Sequence, residues 1–245
     1  MRISTVHFRI TGCLSTASAG LVLLFLLGFA RPALAQSKNL APGFSNLKIA
    51  TKVVIMPIDI ELFSISGGGV LEPKADWTEA ASKHFKKALL EKQKSLGLST
   101  AELSDDDADD VAEVNALHAA VARSIATHHF GIASLQLPTK EGLLDWSLGE
   151  AVRPIKQRTG ADYALFSWVR DSYASSERVA AMIVMAAFGI GLVGGSQVGY
   201  ASLVDLNTGQ VLWFNRLLRA SGDLREADKA GETLEALLSG FPVGK

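Results

Sequence analysis

The chain has 245 residues, with 24 Lys and Arg against 25 Asp and Glu, a formal charge of −1, and one cysteine. That length supports one domain with a substantial core. The near-neutral balance argues against non-specific nucleic-acid binding, which needs a basic face, so no nucleic-acid partner is expected. The single thiol, Cys13, excludes an internal disulfide framework.

The first 35 residues read as a secretory leader. Arg2 and Arg9 give a positive start, Leu21–Phe29 an apolar run too short for a bilayer, and Ala33-Leu34-Ala35 a small-residue cleavage site. The other reading is a retained amino-terminal anchor. Cleavage after Ala35 takes the formal charge from −1 to −4, because the leader holds Arg2, Arg9 and Arg31 and no acid. Cys13 precedes the apolar run, whereas a lipidated cysteine follows it, so a lipoprotein is not expected. Without Cys13 the remaining chain has no thiol for nucleophilic catalysis or metal binding.

Residues 36–51 form a polar arm or linker, and residues 52–245 the domain. Lys52–Ile60 (KVVIMPIDI) predicts a strand covered on both faces, ending, bulging or running along an edge at Pro57. Glu61–Lys74 reads as a flexible loop around Gly67, Gly68 and Gly69, a candidate ligand loop. A helix from Asp76 to Leu96 follows, with Asp76 and Glu79 as a capping box, Gly97 as its stop, and Trp77, Ala81, Phe85, Ala88 or Leu89, and Leu96 inward. Leu98–Leu103 is a short strand. The next helix, Asp105–His129, turns Val111, Val114, Leu117, Val121 and Ile125 inward. A third helix, capped by Ser147 and Glu150, ends near Gly160, with Pro154 kinking it or marking its true start.

Ala161–Val169 predicts the next strand. Gln197–Leu206 and Gln210–Asn215 predict a hairpin around Asn207-Thr208-Gly209, with Gly209 left-handed. Arg225–Leu238 closes as a helix with Ala227, Ala230, Leu234, Leu237 and Leu238 inward. The expectation is an α/β single domain: a mixed β-sheet of about five strands, flanking helices, and a carboxy-terminal strand hairpin plus helix.

Between those strands lies Val179–Gly195 (VAAMIVMAAFGIGLVGG), which carries no charge. It predicts a helical insertion, either buried against the sheet or left as an interaction surface with Ile183, Val184, Phe188 and Leu192 as its candidate residues. It is too short to span a bilayer, and its small residues would permit close helix approach.

GADY at Gly160–Tyr163 opening a strand and SLVDLNTGQVLW at Ser202–Trp213 as the hairpin resemble the amino-terminal domain of the Tol–Pal propeller protein and the periplasmic domain of the curli secretion channel. The stretch GG-x-LEP…DW-x-E-A at Gly68–Ala80 is closer to uncharacterised exported bacterial envelope proteins. The resemblance covers most of residues 52–240. It implies a role in the cell envelope and assigns no chemistry. The segment 179–195 does not alternate as a pore hairpin does, so a secretion pore is not expected.

Chemistry-bearing patterns are weak. Gly189-x-Gly191-x-x-Gly194 matches a dinucleotide fingerprint but precedes a strand, so close backbone packing is expected and no cofactor. Asp105, Asp106, Asp107, Asp109 and Asp110 lack the glycine and twelfth-position carboxylate of a calcium loop and suit a helix start. His84, His118, His128 and His129 lack zinc-site spacing, so no metal is expected. No nucleophile elbow or phosphate loop is present, and no catalytic residue is assigned. Asp59, Glu61, Asp162, Asp171 and Asp205 fall near strand ends, where α/β domains often bind ligands.

The expected function is therefore a non-enzymatic, exported envelope protein, at the periplasm or the periplasmic face of the outer membrane. It would act on an envelope protein, by self-association, or on a membrane through residues 179–195. The alternative is a periplasmic small-ligand-binding domain; a hydrolase ranks last.

Overall fold

The computed structural model describes residues 37–48, 51–96, 99–103, 111–220 and 222–243. The leader with its cleavage site, Gly97 and the acidic run Asp105–Asp110 lie outside the described residues.

The domain is built on one long strand. β5, Tyr163–Ala174, buries both faces through most of its 12 residues and continues five residues past the expected end. Along one edge it carries two parallel strands end to end: β1 (Lys52–Ile55) beside Tyr163 to Leu165, and β2 (Asp59–Ile65) beside Trp168 to Ala174. The single strand expected over Lys52–Ile60 is thus split at Pro57. Proline has no N–H for the ladder, so the chain steps there after Met56 N donates to Leu165 O at 3.0 Å.

The loop expected over Glu61–Lys74 is mostly a hairpin. β2 runs to Ile65 and pairs antiparallel with β3 (Leu71–Pro73), and the glycines form its turn, closed by Ser66 N to Val70 O at 2.9 Å. Its Ser and Glu content resembles a loop, but Ile60 and Leu62 alternate inward.

β4 (Ser99–Glu102) lies parallel to β1. On the other edge of β5, β6 (Gly195–Asp205) pairs antiparallel along 11 positions, and β7 (Val211–Arg219) continues the meander. The result is a mixed sheet of seven strands, the additional ones arising from the Pro57 break and the glycine hairpin. Gly209 closes the β6–β7 turn at φ +73°, as its position predicts.

One face of the sheet presents Leu165, Val169, Leu203, Trp213 and Leu217 to α1 (Ala75–Leu96) and α5 (Ala227–Leu237). Trp77, Ala81, Phe85 and Leu89 of α1 recur at helical spacing and meet this face. Fully burying side chains such as Phe85 and Leu203 contributes about 2–3 kcal/mol each. The helix begins at Ala75, so Asp76 is in its first turn instead of capping it, and Glu79 pairs with Lys83 at 2.6 Å. In α5, Thr233 is buried as well, and Ala227, expected inward, is exposed.

The other face, with Ala164, Phe166, Tyr200, Val204 and Phe214, packs on α2 (Ala112–His128) and α3 (Arg153–Thr159). α2 is rotated from expectation: Leu117 is 37% exposed, and His118 and Ala122 are buried. The inward face is offset by one residue around His118, because its ring stacks on Phe166 and takes the place a leucine would fill. Pro154 marks a true helix start: a 3₁₀ turn, Gly149–Val152, leads into α3, and Ser147 bonds Gly149 N instead of capping α3.

Residues 37–48 lie against β7, with Ala41 N donating to Leu212 O, Phe214 N to Asn39 O, and Ala41 and Leu47 buried. This covers a sheet edge that would otherwise offer unpaired backbone groups.

Candidate functional site

At the end of β5 the chain leaves the sheet as a finger. Ser175 N donates to Ile65 O, and Ser175 Oγ accepts Arg178 N at 3.1 Å, capping α4 (Ser176–Ala186). The helix closes through Phe188 N and Ile190 N, both donating to Met185 O, with Gly189 left-handed at φ +75°. Gly191–Gly194 then runs back along the helix, where a Cβ on Gly194 would meet Met182 Cε at 2.9 Å. The Arg178 guanidinium donates twice to Val193 O, at 3.2 and 3.1 Å, and Ala174 N donates to Gly194 O at 2.7 Å. The chain therefore departs and returns at adjacent positions, Tyr173 opposite Gly195.

No residue of α4 is buried. Arg178, Ala181, Met182 and Met185 are half-buried, while Val179, Ala180, Ile183, Val184, Ala186 and Ala187 are exposed. At 100° per residue those exposed positions sweep an arc of roughly 160°, in which Ser176 at the helix start is the one polar side chain. Ile183 is 69% exposed, Val184 57%, Phe188 75% and Val193 64%; Leu192 is half-buried. The segment is thus not a core helix. Ile183, Val184 and Phe188 form one apolar surface, and Leu192 faces it only in part.

The glycine loop meets this finger at its base. A Cβ on Gly67 would lie 3.4 Å from Glu177 Cβ, and one on Gly69 3.4 Å from Arg178 Nη1. Val70 and Leu71, just beyond Gly69, are also exposed. Two candidate sites more than a hundred residues apart in sequence therefore share one end of the sheet.

Beneath the finger lies a polar row that sequence reasoning missed as a group. Asp171, Gln197 and Arg219 stand in register across β5, β6 and β7. Asp171 is 2% exposed; its Oδ1 accepts Ser172 N at 3.0 Å, and its Oδ2 accepts Gln197 Nε2 at 2.6 Å and the Tyr173 hydroxyl. Gln197 Oε1 accepts Arg219 Nε at 2.7 Å and Thr233 Oγ1 at 3.1 Å. The Tyr173 oxygen accepts Leu224 N at 2.8 Å, and Arg225 stacks on its ring at 4.0 Å. Burial raises the Asp171 carboxyl above the usual carboxylate range, against hydrogen bonds from Tyr173 and Gln197 that lower it. Burial, with Asp171 beside it, also pushes the Tyr173 phenol up. Beside this row is a cavity of about 140 Å³, lined in part by Asp171, Tyr173, Gly194, Gln197 and Gly222. Its signal is the alignment of the three polar residues, hidden in the sequence because the apolar pattern of the strand stops at Val169.

The other strand-end acids do not converge on it. Asp59 and Glu61 hold Arg170 at 2.7 and 3.2 Å on the open part of the sheet face, Asp162 pairs with Lys156, and Asp205 accepts Asn207 N in the hairpin turn.

Among the described residues one serine–histidine pair is hydrogen-bonded. His118 Nε2 shares a hydrogen bond with Ser202 Oγ, and burial pushes the imidazole down to about 3, so it is neutral. Ser202 is fully buried and the adjoining void is about 20 Å³, room for one water, so the pair is closed to a substrate in this conformation. His129 Nε2 donates to Lys38 O and His128 Nδ1 to Leu135 O. Among the described residues, no three His, Cys, Asp or Glu side chains come together as a metal site. No described helix is long and apolar enough to cross a membrane.

No protein-family model matches the chain, and no curated protein matches it. It is similar to a PelC dodecamer from Paraburkholderia phytofirmans at 13% identity and a TM-score of 0.38, over 81% of this chain and 93% of that one. It is similar to lipoprotein GNA1162 from Neisseria meningitidis at 12% identity and a TM-score of 0.31, over 77% and 94%. The LpoB carboxy-terminal domain from Salmonella enterica is similar at 12% identity and a TM-score of 0.29, over 73% and 87%. Likenesses of this size assign neither chemistry nor partner.

Proposed function

We propose that this chain is an exported, non-enzymatic module of the cell envelope that works by docking through the finger at Ser175–Gly194. The leader-like start supports export. The observation that carries the docking reading is the exposed, uncharged arc of α4 with Phe188 at its tip. A helix that only completes a fold turns its apolar side inward, and this one turns it outward.

The test is to place Ile183→Asp and Phe188→Asp in the chain from residue 36 and sediment each with and without envelope fractions. The parent associates; both variants stay folded by circular dichroism and do not. Identical, soluble, monomeric behaviour of parent and variants would sink the docking reading, as would unfolding of both variants.

The cavity beside Asp171 favours the second reading, a small-ligand-binding domain. At about 140 Å³ it is smaller than the roughly 300–1,000 Å³ of ordinary ligand sites, and the glycine loop does not line it. It suits water or a very small polar molecule, so the docking reading stands first.

A further inference from the structure

Resting on that docking reading, we propose that the finger's partner is the interfacial region of a lipid bilayer, into which its tip inserts shallowly.

Apolar exposure is not confined to one side of the finger. It covers the outer arc of α4 and continues on the tip and the returning strand through Phe188, Ile190 and Val193. A protein groove seats one face of a helix, whereas lipid surrounds whatever enters it.

Charge is matched as well. No charged side chain occurs between Arg178 and Asp205, as hydrocarbon requires. At the base, Glu177 and Arg178 place one charge of each sign beside Ser175 and Ser176, a collar suited to a zwitterionic headgroup layer.

Depth is set by the backbone. The carbonyls of Ile183, Val184, Met185 and Ala186 are satisfied within the helix end. The returning stretch Gly191–Gly194 is outside the helix, and such backbone is not tolerated exposed in the hydrocarbon core. Insertion therefore stops at about 5–10 Å, the depth of interfacial helices, with Ala187–Ile190 lowest.

The experiment uses the chain from residue 36, which has no cysteine of its own. Phe188→Cys and, as a control on exposed α1, Lys83→Cys each carry an environment-sensitive fluorophore. Each is mixed with phosphatidylcholine vesicles, with or without acyl-chain quenchers. The label at 188 shifts to the blue and is quenched by the acyl-chain probe, the label at 83 is unchanged, and Ile183→Asp weakens vesicle flotation by about tenfold or more. A label at 188 that stays unshifted at saturating lipid overturns the inference, and so does binding that appears only with anionic lipid and leaves it unshifted. Self-association abolished by Ile183→Asp, without any lipid response, would overturn the lipid inference and leave the docking reading standing. A parent inert to lipid, to itself and to envelope fractions would overturn both.

Discussion

Replacing Asp171 by asparagine tests the polar row that supports the finger's base. The carboxylate accepts three buried donors, Ser172 N on Oδ1 and both Tyr173 Oη and Gln197 Nε2 on Oδ2. An amide has one oxygen. If that oxygen takes the Oδ2 place, its NH₂ faces Ser172 N–H; in the other orientation it faces two donors. At least one buried donor is left unmatched, at about 1–3 kcal/mol. For a chain of this size that lowers Tm by roughly 2–12 °C. The pH dependence identifies the cause. The folded carboxyl titrates above its ordinary 3.8 because it is buried, so the parent is favoured where Asp171 is protonated and loses that contribution as pH rises through the raised value. The amide of D171N does not titrate, so the stability gap between parent and variant should be widest near pH 4 and narrow towards pH 7. Urea denaturation of both proteins at four pH values between 4 and 7 measures it. A gap that is flat, or widens with pH, would refute the reading of Asp171 as a desolvated acid.

Ile183→Asp should change the urea midpoint by less than about 0.5 kcal/mol in ΔG, whereas Leu203→Asp, at a fully buried position, should prevent folding; equal effects would put α4 back in the core. Gly209→Val should cost about 2–4 kcal/mol, because the residue sits at φ +73° and a Cβ there would meet Gly149 O at 2.2 Å. An unchanged thermal midpoint would show the turn to be different. His118, held neutral with its folded value at about 3, contributes stability above the ordinary 6.5 that is lost as pH falls towards 3. Relative to the parent, His118→Gln should therefore show a shallower loss of denaturant midpoint between pH 6.5 and 4, and an equally steep loss would argue against a buried neutral imidazole.

The α/β class, the α1 face and the Gly209 turn are legible in the sequence because each rests on local periodicity or one turn residue. The split at Pro57 is visible as a disturbance, but not that both halves share one edge of β5, since nothing local encodes the length of a distant partner. The polar row is hidden for the same reason: Asp171 looks like a loop acid until Gln197 and Arg219 come beside it. Ile183 and Phe188 can be named from the sequence as candidate surface residues, but the choice between core and surface stays open there. An uncharged run reads the same whether it faces a sheet or solvent, and only the neighbouring chain decides.

The strap of residues 37–48 has a kinetic consequence. Asn39 Nδ2 donates to Phe214 O across 175 residues, and Leu47 N donates to Pro242 O near the other end of the described chain. A polypeptide emerging amino-terminus first must leave these groups waiting until nearly everything else has appeared. Closing so long a loop late makes the strap among the last pieces to lock. A nascent chain of this kind stays unlatched, and therefore threadable through a narrow conduit, for almost the whole of its synthesis.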